Sequence, residues 1–173
     1  MHVREATESD VEAIRSVHAA AIRELGRETY SAEQVAAWAA GCETAEYEDI
    51  SHEDCCFVVA EAEDEERPGI LAFGSLWLTP PEGYERPADA EVTAVYVDPS
   101  VAREGVGSAV LAALEDRARE TAGVETLGLT ASTNAVPFYE AHGYESVRER
   151  THEFSGHEST GVEGVVVEMV KTL

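Results

Sequence analysis

Two closely spaced glycines, Gly105 and Gly107, stand between an apolar strand and a strongly helical run, and that placement is well suited to chemistry. The segment reads Val95-Tyr96-Val97-Asp98-Pro99-Ser100-Val101-Ala102-Arg103-Glu104-Gly105-Val106-Gly107-Ser108, followed by Ala109-Val110-Leu111-Ala112-Ala113-Leu114. Residues lacking a Cβ let the main chain turn its N–H groups outward where a helix begins. Free donors and the positive end of the helix dipole together suit phosphate oxygens. Arg103, Glu104, Gly105, Val106, Gly107 and Ser108 are therefore expected to wrap a pyrophosphate. At Gly105 and Gly107 a Cβ would block the phosphate or demand an unfavourable φ. The alternative is an ordinary glycine turn ahead of a helix, since short glycine patterns recur by chance.

Cys42, Cys55 and Cys56 are odd in number and are read as reduced thiols. His52-Glu53-Asp54-Cys55-Cys56 collects ligand types, but adjacent cysteines rarely reach one metal together and no CxxC spacing is present. No metal is expected. No cysteine lies near the glycine loop, so a thiol intermediate has no local support.

The surrounding pattern supplies elements to hold the loop. Val3 to Ala6 reads as a strand, and Ser9 or Asp10 as the cap of a helix carrying Val11, Ile14, Val17, His18, Ala21, Ile22 and Leu25 on one face. Gly26 ends that helix. Ser31 caps a second, Ala32 to Ala40, closed by Gly41. Strands follow at Phe57 to Ala62 and Ile70 to Leu78, joined by the charged turn Glu63 to Gly69. After the polar loop Thr79 to Asp89 comes the strand Glu91 to Val97, then the helix opened by the glycine loop and ending near Gly123. Thr126 to Ala131 is a strand and Ala135 to Ala141 a short helix. Strands at Glu145 to Phe154 and Val162 to Thr172 close the chain around a Ser155-Gly156-His157 turn. The order β-α-α-β-β-β-α-β-α-β-β predicts an α/β (α+β) fold, a mixed sheet of about seven strands covered by helices.

A second motif, Ala131-Ser132-Thr133-Asn134-Ala135-Val136-Pro137-Phe138-Tyr139-Glu140-Ala141-His142-Gly143-Tyr144, follows the glycine loop. With the element order, the two motifs resemble the GCN5-related N-acetyltransferases, in which an Asn-bearing turn precedes a helix carrying Phe-Tyr-Glu. The resemblance implies acetyl-CoA as cosubstrate, no metal, and an amine acceptor. It implies that central strands part and that the backbone of Val95, Tyr96 and Val97 pairs with the pantetheine arm, the Val97 N–H taking the oxyanion. Tyr139 falls at the family's general-acid position; a phenol with pKa near 10 stays protonated and can supply a departing thiolate. Glu91 is the candidate general base, acting through water on an amine that arrives protonated; a solvated strand-end carboxylate is its alternative.

The chain also departs from the family pattern. Ala102 stands at the first loop position, the cation has moved to Arg103, and Glu104 sits where a cation is common. Asn134 lies two residues later than the family asparagine, whose place is taken by Ser132, so it is read either as a helix cap or as a cofactor contact. Tyr30, Trp38, Tyr47, Trp77, His152 and His157 are candidate walls of the acceptor pocket.

Twelve basic residues against thirty-five acidic ones give a net charge of −23, and Lys171 is the only lysine. That field repels nucleic acid. An acidic surface could draw cationic amines, but acid spread along the chain reads more simply as adaptation to a salt-rich, halophilic cytoplasm. At molar salt the Debye length is about 3 Å, which also screens Glu104. The 173 residues suit one domain; no apolar run is long enough to span a membrane, and no secretion signal is visible, so a cytoplasmic protein is expected. A homodimer is compatible with the sequence. The functional expectation is direct acetyl transfer to a primary amine of a small molecule or protein; the alternative is a non-catalytic acyl-CoA-binding module of the same fold.

Overall fold

The computed structural model describes residues 1–43, 45–63, 69–154 and 159–173. Residues 64–68 of the expected charged turn and the Ser155-Gly156-His157 turn lie outside them. The strands are β1 (His2–Glu5), β2 (Cys55–Glu61), β3 (Ile70–Trp77), β4 (Ala90–Val97), β5 (Thr126–Ser132), β6 (Glu145–Glu153) and β7 (Glu163–Thr172). The helices are α1 (Val11–Leu25), α2 (Ala32–Glu43), α3 (Val106–Glu120) and α4 (Val136–Ala141). They follow the expected order, with strand ends displaced by one or two residues.

All seven strands form one sheet in the order β1-β2-β3-β4-β5-β7-β6. Every neighbouring pair is antiparallel except β4 and β5, which run parallel. Alternation sorts the side chains by face. Val92, Leu127, Leu129, Ala131, Val167 and Met169 pack beneath Val110, Leu111 and Leu114 of α3 in the larger core. On the opposite face, α1 sets Ile14 and Val17 against Phe57, Val59 and Phe73, while α2 sets Val35 and Ala39 against Tyr30 and Phe154. Gly74 allows α3 to lie close to the sheet, because a Cβ there would meet Val110 Cγ1 at 2.6 Å.

Two local expectations are corrected. Asp10 does not cap α1 through its side chain; its carboxylate turns back to accept from the Thr7 N–H at 2.8 Å and from both terminal nitrogens of Arg4. That pairing holds its pKa well below the usual carboxylate range, the Arg4 hydrogen bonds being the largest cause. Gly26 ends α1 at Leu25 as expected, with a right-handed φ of −62° that leads into a 3₁₀ turn. Gly41 is instead absorbed, so α2 continues to Glu43. A glycine commonly stops a helix by adopting a left-handed conformation, and Gly41 does not.

Candidate active site

The pairing of β4 with β5 is short. It covers Ala90, Val92 and Glu91 opposite Leu127, Leu129 and Gly128, and then stops. Beyond Val92, β4 carries one extra residue against β3: Ser75 pairs with Ala94 and Leu76 with Val92, leaving Thr93 as a bulge. From there β4 stays on β3 while β5 stays on β7, and a gap opens between the central strands. The Asp98 N–H bonds the Leu71 carbonyl at 2.8 Å. Antiparallel alternation then turns the N–H and C=O of Val95 and Val97 into the gap, and those of Tyr96 towards β3. Of the three expected strand residues, Val95 and Val97 therefore present free backbone. Tyr96 contributes its ring, which packs at 4.0 Å from that of His18 and stacks on Phe73.

Two cavities meet at the gap. The first, about 400 Å³, runs from Leu25 and Gly26 past Val95 and Val97 to the glycine loop. Its loop end is built from main chain. Asp98 accepts the Ser100 N–H at 2.8 Å, turning Pro99–Val101 into one 3₁₀ turn. Arg103 and Gly105 both adopt left-handed φ values, 67° and 87°. For Arg103 that conformation costs about 1–2 kcal/mol, and such alternating handedness points successive N–H groups to one side. The first hydrogen bond of α3 joins Ala109 N–H to the Gly105 carbonyl at 3.1 Å, so the N–H groups of Val106, Gly107 and Ser108 lack helical partners.

Within the six expected loop residues the roles divide. Arg103, Gly105, Gly107 and Ser108 line this cavity, together with Ala102. Glu104 does not; it is exposed, and its N–H closes onto the Val101 carbonyl at 3.3 Å. Val106 anchors the helix by burying its side chain in the core. Gly105 fits the conformational reason for glycine, with open space around a Cβ. Gly107 does not: a Cβ there would meet Val97 Cγ2 at 3.1 Å, so this glycine lets α3 approach β4 without displacing the Val97 side chain.

The second cavity, about 440 Å³, lies on the α2 side of the sheet and is framed by Glu91, Tyr84, Thr130, Arg150, His152 and Phe154. Both cavities are lined by Trp38, Val95, Tyr96, Ser132, Ala135 and Tyr139. Tyr139 is 7% exposed, burial raises its pKa, and its hydroxyl makes no hydrogen bond to another described residue. A protonated phenol is thus held where the cavities join.

Glu91 is half-buried, and its Oε1 accepts the Tyr84 hydroxyl at 2.7 Å. Tyr84 also approaches Thr130 Oγ1 at 3.1 Å, and burial raises its pKa, so it remains a donor. Its ring lies across Gly128, where a Cβ would come within 2.7 Å of Tyr84 Cε2. The loop bearing Tyr84 is pinned from below by Glu168, which is 0% exposed. Glu168 accepts the N–H groups of Glu85 and Arg86 and the Nε of Arg148, at 2.8, 3.2 and 2.9 Å. Sequence reading missed Tyr84 and Glu168; the one available signal was a glycine, Gly128, inside a strand.

The remaining candidates separate cleanly. Asn134 does not cap α4: its Nδ2 donates to the Leu25 carbonyl at 3.3 Å, while its Oδ1 is buried without a partner. It lines the loop cavity, and that unpaired acceptor suits an amide donor. Trp38 stacks on Phe154 at 5.0 Å and still reaches both cavities. Tyr30 is structural, its hydroxyl donating to the Val165 carbonyl and accepting the Thr133 N–H. Tyr47 bonds His18, and Trp77 packs against His52, both away from the cavities. His157 lies outside the described residues. Burial pushes the Cys42 and Cys55 thiols up to about 12, leaving them protonated. Among the described residues no cluster of His, Cys, Asp and Glu could hold a metal, and no helix is long and apolar enough to cross a membrane.

Comparison with known proteins converges on this architecture. A search of curated sequences returned no match. Among solved structures, a GCN5-related N-acetyltransferase from Rhodopseudomonas palustris superposes with a TM-score of 0.79 at 23% identity, covering 99% of this chain and 95% of that one. A PaiA N-acetyltransferase from Thermoplasma acidophilum, solved with coenzyme A, gives 0.72 at 19% identity, covering 99% and 98%. A ribosomal-protein-alanine N-acetyltransferase from Brucella melitensis gives 0.65 at 21%, covering both chains fully, 100% each. These likenesses establish the fold. The sequence profile of the acetyltransferase (GNAT) family matches residues 19–144, a span containing the parted strands, the glycine loop and Tyr139. The chain belongs to the acetyltransferase (GNAT) family.

Proposed function

We propose that this chain is an enzyme that moves an acetyl group from acetyl-CoA directly onto a primary amine. The observation that carries the reading is the junction of two cavities at a gap between parallel strands. One cavity ends in free backbone donors at a helix N-terminus, and the other opens beside a carboxylate. In this reading the pyrophosphate lies on the N–H groups of Gly107 and Ser108. The pantetheine arm follows the open edge of β4 at Val95 and Val97, and an amide N–H of that arm is matched by the unpaired Oδ1 of Asn134. The thioester then reaches the junction, where the Val97 N–H is a donor for the oxyanion.

The acceptor enters from the polar cavity. Glu91, with Oε1 engaged by Tyr84, has Oε2 free to take the amine proton through water. The neutral nitrogen attacks the thioester carbon, the C–S bond breaks as Tyr139 gives its proton to the departing sulfur, and the proton shed by the acylated nitrogen restores the Tyr139 phenol through water. The buried, protonated thiols fit a direct transfer without an acyl-cysteine. The acid-rich composition is read as salt adaptation and takes no part in the chemistry.

The test combines binding and turnover. Acetyl-CoA at a hundred times its dissociation constant is expected to stabilise the protein by about 2.7 kcal/mol. Amine-dependent release of free thiol is expected from the parent protein and is strongly reduced in Tyr139→Phe, with acetyl-CoA affinity kept. A stabilised protein with no thiol release for any amine overturns the enzymatic reading in favour of a binding module.

A further inference from the structure

Arg150 is a cation in the acceptor cavity of a chain with thirty-five acidic residues, yet it holds none of them closely. The nearest carboxylate is Glu168, 4.0 Å from Nη1, and that group is already occupied. Its Oε2 takes the Nε of Arg148 at 2.9 Å, and its Oε1 takes the N–H groups of Glu85 and Arg86. Arg148 further donates to the Gly83 carbonyl at 2.7 Å, which ties it to the loop. Arg150 has no such tie. Among the described residues its guanidinium makes no hydrogen bond, and it sits 5.9 Å above the centre of the Tyr84 ring.

The strand register places this spare cation beside the chemistry. Ser132 of β5 pairs with Val166 of β7, and Val166 pairs with Arg150 of β6. Directly paired residues share a sheet face, so Arg150 stands in the row of Ser132, which lines both cavities. Glu91 lies on the same face through its pairing with Gly128, four residues before Ser132 along β5. Tyr84 joins the two groups: its hydroxyl holds Glu91, and its ring supports Arg150. The cavity therefore offers a carboxylate and a cation on one floor, with Tyr139 at the junction. A guanidinium with unused donors suits a carboxylate, which it can bind in bidentate fashion.

We infer that the acceptor is a small amine that also bears a carboxylate, an amino acid in the broad sense, with its anion held by Arg150. This rests on the acetyl-transfer reading of the same site. An amine bearing several cations and no anion would meet the guanidinium unpaired and is selected against.

The experiment measures acetyl-CoA-dependent thiol release with glutamate, alanine, β-alanine and γ-aminobutyrate, each against its amide, and with putrescine. Wild-type protein is expected to favour at least one amino carboxylate over its amide by about thirtyfold in kcat/KM, mainly through KM. In Arg150→Met that preference collapses towards unity, and Arg150→Lys restores part of it. Stabilisation by acetyl-CoA confirms that the variants are folded. Equal use of acids and amides, a preference for putrescine, or an Arg150→Met variant that keeps its discrimination overturns the assignment while leaving acetyl transfer intact. Absence of thiol release with every amine instead removes the acetyl-transfer reading, and this inference with it.

Discussion

The two halves of the site are made of different material. The half facing α3 is made from main chain: the open edge of β4, two left-handed residues and the first turn of a helix. The other half is made from side chains gathered from stretches far apart in the chain: α2, the loop before β4, β4, β5, α4, β6 and β7. Backbone donors recognise a group every substrate of one class carries, whereas side chains can be exchanged without disturbing the sheet beneath. One half therefore suits an invariant carrier, and the other a particular acceptor.

Substitutions that attack geometry are expected to be the most damaging on the main-chain side. Gly107→Val forces a branched side chain between Val97 and Phe138, and calorimetric titration is expected to show acetyl-CoA affinity lost by at least about a hundredfold. Gly105→Ala imposes a Cβ at a φ of 87°, at a cost of about 1–2 kcal/mol, and is expected to weaken binding less. Circular dichroism separates either effect from unfolding. If both variants bind normally, the main-chain half is wrongly placed.

At the junction, Tyr139→Phe is expected to lower turnover by about a hundredfold or more with little change in binding. A variant that keeps full turnover removes the phenol from the chemistry.

On the side-chain half, effects are smaller and appear in pH profiles. The Tyr84 hydroxyl holds Glu91 Oε1 in place. Tyr84→Phe is therefore expected to cost a several-fold loss of kcat/KM near neutrality. Glu91→Gln is expected to abolish the acid limb of kcat/KM. An acid limb unchanged in Glu91→Gln places the base elsewhere.

The weakest functional effect is expected behind the gap, at His18. Burial lowers its pKa from 6.5 to about 4, so the unfolded chain binds the extra proton between those values. Stability accordingly rises with pH across that window and is lost on acidification, by about 3 kcal/mol in total. Denaturant titrations at several pH values are expected to show the slope, and His18→Leu to flatten it, with catalysis little altered at neutral pH.

The same division explains what the chain disclosed before its structure was known. Gly105, Gly107 and Tyr139 are legible because their spacing is local: a strand, a turn and a helix start within a few residues of each other. The reason for Gly107 was not legible, since it depends on Val97 and Phe138 arriving from different directions. The end of α2 lies beyond Gly41 because glycine permits a left-handed turn without requiring one. Tyr84, Arg150 and Glu168 were not legible, apart from the hint of Gly128 inside a strand. Their meaning arises from pairings between β5, β7 and β6 that bring together residues far apart in the chain. Asn134 had the right neighbourhood, but its role turns on the distant Leu25 carbonyl that takes its amide.

The central claim is that acyl-CoA occupies the open edge of β4 and the first turn of α3. Residue-resolved amide hydrogen exchange, with and without coenzyme A, tests it most directly. The account predicts strong new protection at Val95, Val97, Gly107 and Ser108, with Tyr96 unchanged because its amide already serves β3. Coenzyme A bound with those four amides exchanging as before, or protection confined to the β6 side, would contradict it.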